Sequence, residues 1–341
     1  MTLTELLRRT QEWFAGLGIA TARLDAEVLI AHGLQIERIA FYTDGQRILT
    51  DDELAACREL VKRRAKREPV AYIVGEREFW SRPFAVDARV LIPRPDTETL
   101  VDLALRWLDG PVQAEIVVEL EEQADDDDDE PTFGEYTPGV DTVVELHEPT
   151  AEEVAAGATP TEPEDASPTE VSASLVLDYG TGSGAIAVTL AAERPALKVL
   201  AIDLSADALE VAKDNAARHS VTDRVGFVCS DGFTRVPPRF HGQLAAIVAN
   251  PPYVPVEDEA GLAPDVRDHE PREALFAGPD PLLHYRRIAE EARRWLRPGG
   301  FVALEVGKGQ ADDVRGLFTG WSQVEVRKDL AGIERVVAAR L

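Results

Sequence analysis

Apolar positions recur at helical three-to-four spacing along the first 70 residues and, beyond residue 175, in short unbroken runs separated by further helical stretches. Leu3, Leu6, Leu7, Trp13, Phe14 and Leu17 mark one helical face, which ends near Gly16 and Gly18. Thr21 is placed to cap a second helix whose apolar residues are Leu24, Ala26, Val28, Leu29, Ile30 and Leu34, with Gly33 near its end. A short third helix is expected over 37–42. A fourth, capped by Thr50 or Asp51, turns Leu54, Cys57, Leu60 and Val61 to the core. Its end carries Lys62-Arg63-Arg64 and Lys66-Arg67, read as cations at a helix C-terminus rather than a nucleic-acid patch.

The pattern then changes. The runs 70–74, 79–80 and 84–86, closed by 90–92, predict a β-hairpin. Pro93-Arg94-Pro95-Asp96-Thr97-Glu98 follows as a rigid extended approach in which Asp96 or Thr97 caps a helix through Leu108. A linker and cap leave Arg94 unexplained, so it is a candidate site residue. From Leu175 strands and helices alternate, the pattern of a doubly wound α/β fold. Strands are expected at 175–178, 198–203, 225–229, 244–249, 300–306, 323–328 and 334–339, and helices at 185–193, 206–219, 282–296 and 310–318. The link 329–333 is too short for a crossover helix, so the last two strands should pair antiparallel.

Charge separates one further segment. The net charge is −26, yet 20 acidic residues and no Lys or Arg fall between 111 and 174, leaving 42 acids against 36 bases elsewhere. Residues 111–172, with the run 125–129 and many Pro, Thr and Glu, are expected to be a disordered insertion, with at most transient strands at 114–120 and 142–146. The organisation is therefore an N-terminal helical domain at 1–70, a hairpin and linker helix at 71–110, the insertion at 111–172 and an α/β domain at 173–341. Neither charge balance suits a non-specific nucleic-acid binder. No apolar run reaches membrane-spanning length, and the first residues lack the order of a signal peptide. Cys57 and Cys229, far apart and in no metal-ligand spacing, are expected to be buried thiols in a cytoplasmic protein.

Candidate chemistry lies at the strand ends. The first α/β strand leads into Asp178-Tyr179-Gly180-Thr181-Gly182-Ser183-Gly184 and a helix, where glycines allow a tight turn and close ligand approach. The second strand ends at Asp203, placed to accept hydrogen bonds from ribose hydroxyls. The G-x-G-x-G spacing points to S-adenosyl-L-methionine, with a nicotinamide cofactor as the competitor. Asp231, followed by Gly232, is a candidate for the adenine amino group. The fourth strand ends in Asn250-Pro251-Pro252-Tyr253. Two prolines fix φ and donate nothing, so this turn presents acceptors in a preset geometry suited to a planar amino group. With the Asn250 carboxamide oxygen and the Pro251 carbonyl accepting its two N–H bonds, an amide nitrogen is aimed at a methyl donor and its developing charge is stabilised. No general base is required before transfer, and none is evident nearby.

Taken together, these stretches resemble the peptide chain release factor glutamine methyltransferases. The matching residues are Glu68-Pro69-Val70-Ala71-Tyr72-Ile73 with Gly75, Glu78-Phe79-Trp80, Leu91 through Glu98, the glycine loop, Asn250–Tyr253, Asp265-Val266-Arg267 and Glu270-Pro271. The resemblance covers 1–110 and 173–341. It implies a Rossmann-like class I methyltransferase domain with a mostly parallel seven-stranded sheet, its last strand antiparallel, and an N-terminal helical domain that helps hold a protein substrate. It further implies S-adenosyl-L-methionine as cofactor, contacted by Gly180, Thr181, Gly182, Ser183, Gly184, Asp203, Asp231, Gly232 and Asn250. Asn250, Pro251, Pro252 and Tyr253 would hold the substrate, the side chain of Tyr253 packing against the glutamine of a Gly-Gly-Gln motif in class 1 release factors; Asn250, Pro251 and Tyr253 would be the catalytic set. A monomer without metal, membrane or stable nucleic-acid partner is expected. Where family members often carry an aromatic residue after the aspartate this chain has Gly232, and the insertion is no family feature. A glutamine methyltransferase acting on a ribosomal protein would share nearly every motif, and an adenine-N6 methyltransferase would share Asn-Pro-Pro-Tyr but needs a basic groove or recognition domain that is not found.

Overall fold

The computed structural model describes residues 1–110 and 174–341; the acidic segment and the strands expected at 114–120 and 142–146 lie outside the described residues. At the N-terminus α1 (Leu3–Gly16) is capped by the Thr2 hydroxyl. It packs on α2 (Ala22–Leu34), whose nominal cap Thr21 makes no side-chain bond. The expected core residue Leu24 is 47% exposed, because the buried face of α2 is set by Ala26, Leu29 and Ile30. The third helix is the single turn α3 (Ala40–Thr43). Thr50 and Glu53 close a reciprocal capping box on α4 (Asp51–Ala65), joining two otherwise orphaned N–H groups to side-chain oxygens.

Residues 70–74 depart from the expected strand and form the helical turn α5 (Val70–Val74). Pro69 starts it and Gly75, at φ 81°, ends it in the left-handed region. Tertiary bonds override the β-branched composition: the Tyr72 hydroxyl donates to the Val90 carbonyl at 2.5 Å. The hairpin is the shorter pair β1 (Glu76–Phe79) and β2 (Arg82–Ala85), and 90–92 forms no strand. Its two-residue turn is Trp80-Ser81, each at φ 54°, a conformation usually left to glycine or asparagine. Glu98 Oε1 holds it by accepting the Trp80 N–H at 2.8 Å. The helix α6 (Glu98–Leu108) follows a turn of 3-10 helix, and neither Asp96 nor Thr97 caps it.

The α/β region runs β3 (Ser174–Tyr179), α7 (Ala185–Glu193), β4 (Leu197–Asp203), α8 (Ala206–Arg218), β5 (Val225–Cys229), β6 (Leu244–Ala249), α9 (Pro264–Arg267), α10 (Arg272–Leu275), α11 (Leu283–Trp295), β7 (Leu296–Glu305), α12 (Ala311–Gly316), β8 (Gln323–Lys328) and β9 (Glu334–Arg340). The seven strands lie in the order β5-β4-β3-β6-β7-β9-β8. β9 runs antiparallel to both neighbours and the other contacts are parallel. Alternation along the strands divides the core. Val176, Val199, Ala201, Val248 and Ala303 pack against α6 and α7, while Leu177, Ile202, Ile247, Val302 and Leu304 pack against α11 and α12. β6 is buried throughout, as a central strand covered on both faces must be.

Candidate active site

Register brings the chemistry together. Tyr179 lies opposite Ile202 on one side and Ala249 on the other; Asp203 lies opposite Cys229, and Ala249 opposite Leu304. The residues that follow these positions therefore leave the sheet side by side, at the carboxyl edge where such sheets bind ligands. They border a cavity of ≈ 360 Å³ lined by Gly180, Gly182, Asp203, Asp231, Gly232, Asn250 and Pro252, among others. Thr181, Ser183, Gly184, Pro251 and Tyr253 are not among the residues that line it.

Gly180 and Gly182 have φ of 73° and 54°, and a Cβ on either would meet only open space. Their backbone is thus free for a ligand. Gly184 serves a different end: a Cβ there would meet Ala212 Cβ at 3.1 Å, so its absence lets α7 and α8 approach. The Asp203 carboxylate accepts the Gly182 N–H at 2.8 Å and the Ser205 N–H at 2.9 Å, which orients it at the cavity wall. Burial raises its pKa.

Sequence reasoning passed over two residues here. Asp178 is fully buried; its Oδ2 accepts from the Thr181 hydroxyl at 2.6 Å and the Ala187 N–H at 3.1 Å, and its Oδ1 has no partner. Burial pushes its carboxyl up to about 7. An unpartnered buried carboxylate oxygen is costly alone and well suited to a cationic group. Its position two residues before Gly180 was the available signal. Asn215 of α8, buried completely, exchanges bonds with both backbone groups of Ala85 at 2.7 and 3.0 Å and donates to the Ser183 carbonyl at 2.9 Å. It ties the hairpin to the glycine loop, and nothing in the sequence marks it among other helix asparagines.

At the far end of the cavity Asp231 is already engaged: Arg287 of α11 bonds its carboxylate and, at 2.7 Å, its backbone carbonyl. A Cβ on Gly232 would meet the Arg287 guanidinium carbon at 2.8 Å, so arginine fills the space an aromatic side chain would need. The ring-bearing residues that do line the cavity are Tyr179 and His284. The Nδ1 of His284 lies 3.5 Å from the Tyr179 hydroxyl, and burial beside Arg287 lowers the imidazole pKa.

Asn250 Nδ2 donates to the Thr97 hydroxyl at 3.2 Å. That contact, rather than helix capping, accounts for Thr97. The half-buried Tyr253 directs its hydroxyl to Glu305 Oε1 at 3.5 Å, and its backbone carbonyl accepts from Gln310 at 3.1 Å. Glu305 is 1% exposed, its Oε2 has no partner, and burial pushes its carboxyl up to about 7. A titratable group therefore does stand behind the Asn-Pro-Pro-Tyr turn. It escaped notice because it lies 55 residues away on β7.

Arg94, a candidate from sequence, pairs with the buried Glu270 at 2.6 Å, and Glu270 also accepts the Ile92 N–H at 3.2 Å. Arg64, read as a cation at a helix C-terminus, does lie in the last turn of α4, and is buried between Asp25 at 2.7 Å and Asp265 at 3.3 Å. Cys57 is buried and Cys229 only partly so, against the expectation that both are buried; both are free. Among the described residues no cluster of metal-ligating side chains occurs and no helix is long and apolar enough to cross a membrane.

Sheet order, glycine loop and strand-end acid define a Rossmann-like class I methyltransferase domain preceded by a helical region. The sequence model of the "PrmC N-terminal domain" matches residues 5–75, and that of the "Methyltransferase small domain" matches 167–263. The chain is 38% identical to the release factor glutamine methyltransferase of Nitratidesulfovibrio vulgaris, over 99% of this chain and 95% of that one. It is 35% identical to that of Geobacter sulfurreducens, over 100% and 97%. It therefore belongs to the release factor glutamine methyltransferase family. A solved structure of a methyltransferase from Pyrococcus furiosus is 21% identical, with a TM-score of 0.36 over 49% of this chain and 74% of that one.

Proposed function

We propose that the cavity binds S-adenosyl-L-methionine and that the protein methylates the side-chain amide nitrogen of the glutamine in the Gly-Gly-Gln motif of class 1 release factors. The observation that carries this reading is the Asn250 carboxamide. It lines the same cavity as the glycine loop and Asp203, and its Nδ2 is occupied by Thr97. Its Oδ1 is left to accept from a substrate amide.

The chain's residues fit the cofactor. Gly180 and Gly182 leave room for its methionine portion, and Asp178 Oδ1 lies beneath the loop as an acceptor of positive charge. Thr181, Ser183 and Gly184 hold the loop's shape. Asp203 accepts from the ribose hydroxyls. Asp231 and Gly232 border the adenine, with neutral His284 giving the ring face that position 232 lacks. Bound there, the cofactor supplies an activated methyl. Transfer makes one N–C bond, breaks one S–C bond and releases one proton from nitrogen. The protein's part is orientation and exclusion of water: Asn250 Oδ1 and the Pro251 carbonyl accept the two amide N–H bonds, and Pro252 and the Tyr253 ring pack on the glutamine side chain.

Residues 1–70 serve as the substrate-recognition domain. Leu24, Ile39 and Tyr42, all exposed, adjoin Arg23 and Arg38 and offer an apolar, cationic face to a protein partner. The reading is of a cytoplasmic monomer, consistent with two free thiols. The test is methyl transfer from labelled cofactor to a release factor beside its Gly-Gly-Ala variant. Label should enter only the glutamine form; equal labelling of both, or labelling of DNA alone, rejects the assignment.

A further inference from the structure

The Asn-Pro-Pro-Tyr turn is held from the exit of β7 by one side-chain amide. Gln310 Nε2 donates to the Tyr253 carbonyl at 3.1 Å, and Gln310 Oε1 accepts the Gly307 N–H at 3.0 Å. Regular pairing of β6 with β7 stops at Ala249 and Leu304. Beyond that rung the Gln310 carboxamide links the two chains, inserted between an N–H and a C=O as a peptide group would be. We propose that Gln310 is a positioning residue for methyl transfer: it fixes Tyr253 and, through the two prolines, the Pro251 carbonyl.

Helix capping does not explain a glutamine here. Gln310 is the N-cap residue of α12, a position that favours Ser, Thr, Asp or Asn, and its side chain makes no cap bond. It turns back to Gly307 and Tyr253 instead. Only one orientation of the amide satisfies both, since Oε1 must face the donor and Nε2 the acceptor. Gly307 is fitted to the same contact. Its φ lies outside the left-handed region, so the backbone itself does not require glycine. A Cβ there would meet Gln310 Oε1 at 2.7 Å and Tyr253 Cδ2 at 3.1 Å. Glycine therefore lets the amide and the tyrosine ring close on the strand exit.

Tyr253 is thus held at three points by residues 305–310. Its hydroxyl lies 3.5 Å from Glu305 Oε1, its ring packs beside Gly307, and its carbonyl meets Gln310. The next residue is anchored separately: Val254 donates to the Leu275 carbonyl at 3.0 Å and accepts the Ala277 N–H at 3.3 Å. Pro251 and Pro252 have fixed φ, so a turn held at Tyr253 leaves the Pro251 carbonyl little freedom. That carbonyl is one of the two acceptors in the proposed transfer, and a displacement of about 1 Å misaligns the amide nitrogen with the methyl. Gln310 is not among the residues lining the cofactor cavity, so its loss should leave cofactor binding in place.

The inference deepens the proposed glutamine transfer and rests on it for its kinetic arm; its exchange arm does not. Gln310→Met keeps the length of the side chain and removes both bonds. Its kcat for a release-factor substrate should fall about 10- to 100-fold, with cofactor Kd within about twofold of wild type. Gly307→Ala displaces the Gln310 amide and should do the same, and the double variant should cost no more than either alone. Gln310→Glu separates hydrogen-bond direction from bulk. Its carboxylate still accepts the Gly307 N–H but opposes the Tyr253 carbonyl, acceptor against acceptor; once protonated it donates to that carbonyl. Relative to wild type its kcat should be low at about pH 8 and rise toward about pH 6, a rise absent from Gln310→Met. Amide hydrogen exchange at Gly307 should accelerate about tenfold in Gln310→Met and stay near the wild-type rate in Gln310→Glu at about pH 8. A Gln310→Met enzyme with wild-type kcat, or with unchanged exchange at Gly307, overturns the inference. So does loss of cofactor affinity in step with kcat, or a Gln310→Glu enzyme that tracks Gln310→Met at every pH. The expected exchange rates in a wild type that labels no release factor leave the amide link standing and reject the substrate assignment instead.

Discussion

Arg64, at the end of α4, reaches across to Asp265 of α9 at 3.3 Å while its Nε holds Asp25 of α2 at 2.7 Å. The helical region is thereby tied to the segment that follows Asn-Pro-Pro-Tyr. Its remaining donor meets the carbonyls of Arg67 and Glu68. Removing a buried ion's partner costs more than the pair contributes, because the other charge stays desolvated. Arg64→Ala should therefore destabilise the protein by about 3–5 kcal/mol. Arg64→Lys should recover only part, since an ammonium cannot fork between two acids. Urea denaturation of both variants is the measurement; an Ala variant within about 0.5 kcal/mol of wild type would show the pair to be unimportant.

Asn250→Ala removes the clamp oxygen and leaves the glycine loop and Asp203 in place. Methyl transfer should be lost, with a drop on the order of 100-fold or more in kcat, while calorimetric cofactor affinity changes by less than about tenfold. Collapse of cofactor binding would make Asn250 a cofactor or scaffold residue first.

The glycine loop separates binding from packing. Gly180→Ala and Gly184→Ala share the strain of a left-handed backbone, about 1–2 kcal/mol. Only at Gly184 does the added methyl meet protein, at Ala212, which should cost roughly another 1–3 kcal/mol. Thermal unfolding should thus separate the two, with Gly184→Ala melting lower. Titration with cofactor should rank them the other way, because the methyl at Gly180 enters the cavity.

His284→Ala should weaken cofactor binding by about 1 kcal/mol or slightly more, the worth of one stacked base. S-adenosylhomocysteine, which shares the adenosine end, should lose affinity equally. No change in either affinity would exclude His284 from the adenine site.

Asp178 and Glu305 give the ligand-free protein an unusual pH response. Both carboxyls are pushed by burial from ordinary values near 4 up to about 7, so the folded state holds protons that the unfolded state has released. Their contribution to stability is fully present below pH 4 and is lost as pH rises through about 7, by at most roughly 3–4 kcal/mol each. Between pH 5 and 8 the melting temperature should fall with rising pH. Asp178→Asn should flatten part of that slope. A cation at Asp178 Oδ1 favours the carboxylate, so cofactor binding near pH 6.5 should release protons, seen as a buffer-dependent enthalpy in calorimetry.

Much of this was written in local pattern. The strands β5, β6 and β8 and the helix α7 stand where the sequence pattern puts them; for β6 the reason is that a buried run bounded by turn residues leaves a central strand few alternatives, while β5 and β8 are the two edges of the sheet. The glycine loop, Asp203 and Asn250 were legible too, each being a special residue type at a strand end. Whatever depends on partners distant in sequence was not legible. Val70–Val74 reads as a strand and folds as a helical turn because Tyr72 bonds Val90. Thr97 reads as a cap and faces Asn250; Arg64 reads only as a cation at a helix end, and its burial between two acids comes from partners distant in sequence. Local spacing determined which residues reach the carboxyl edge of the sheet. Packing alone decided which are desolvated there, and with Asp178 and Glu305 that loss of water turns ordinary carboxyls into groups poised near neutral pH.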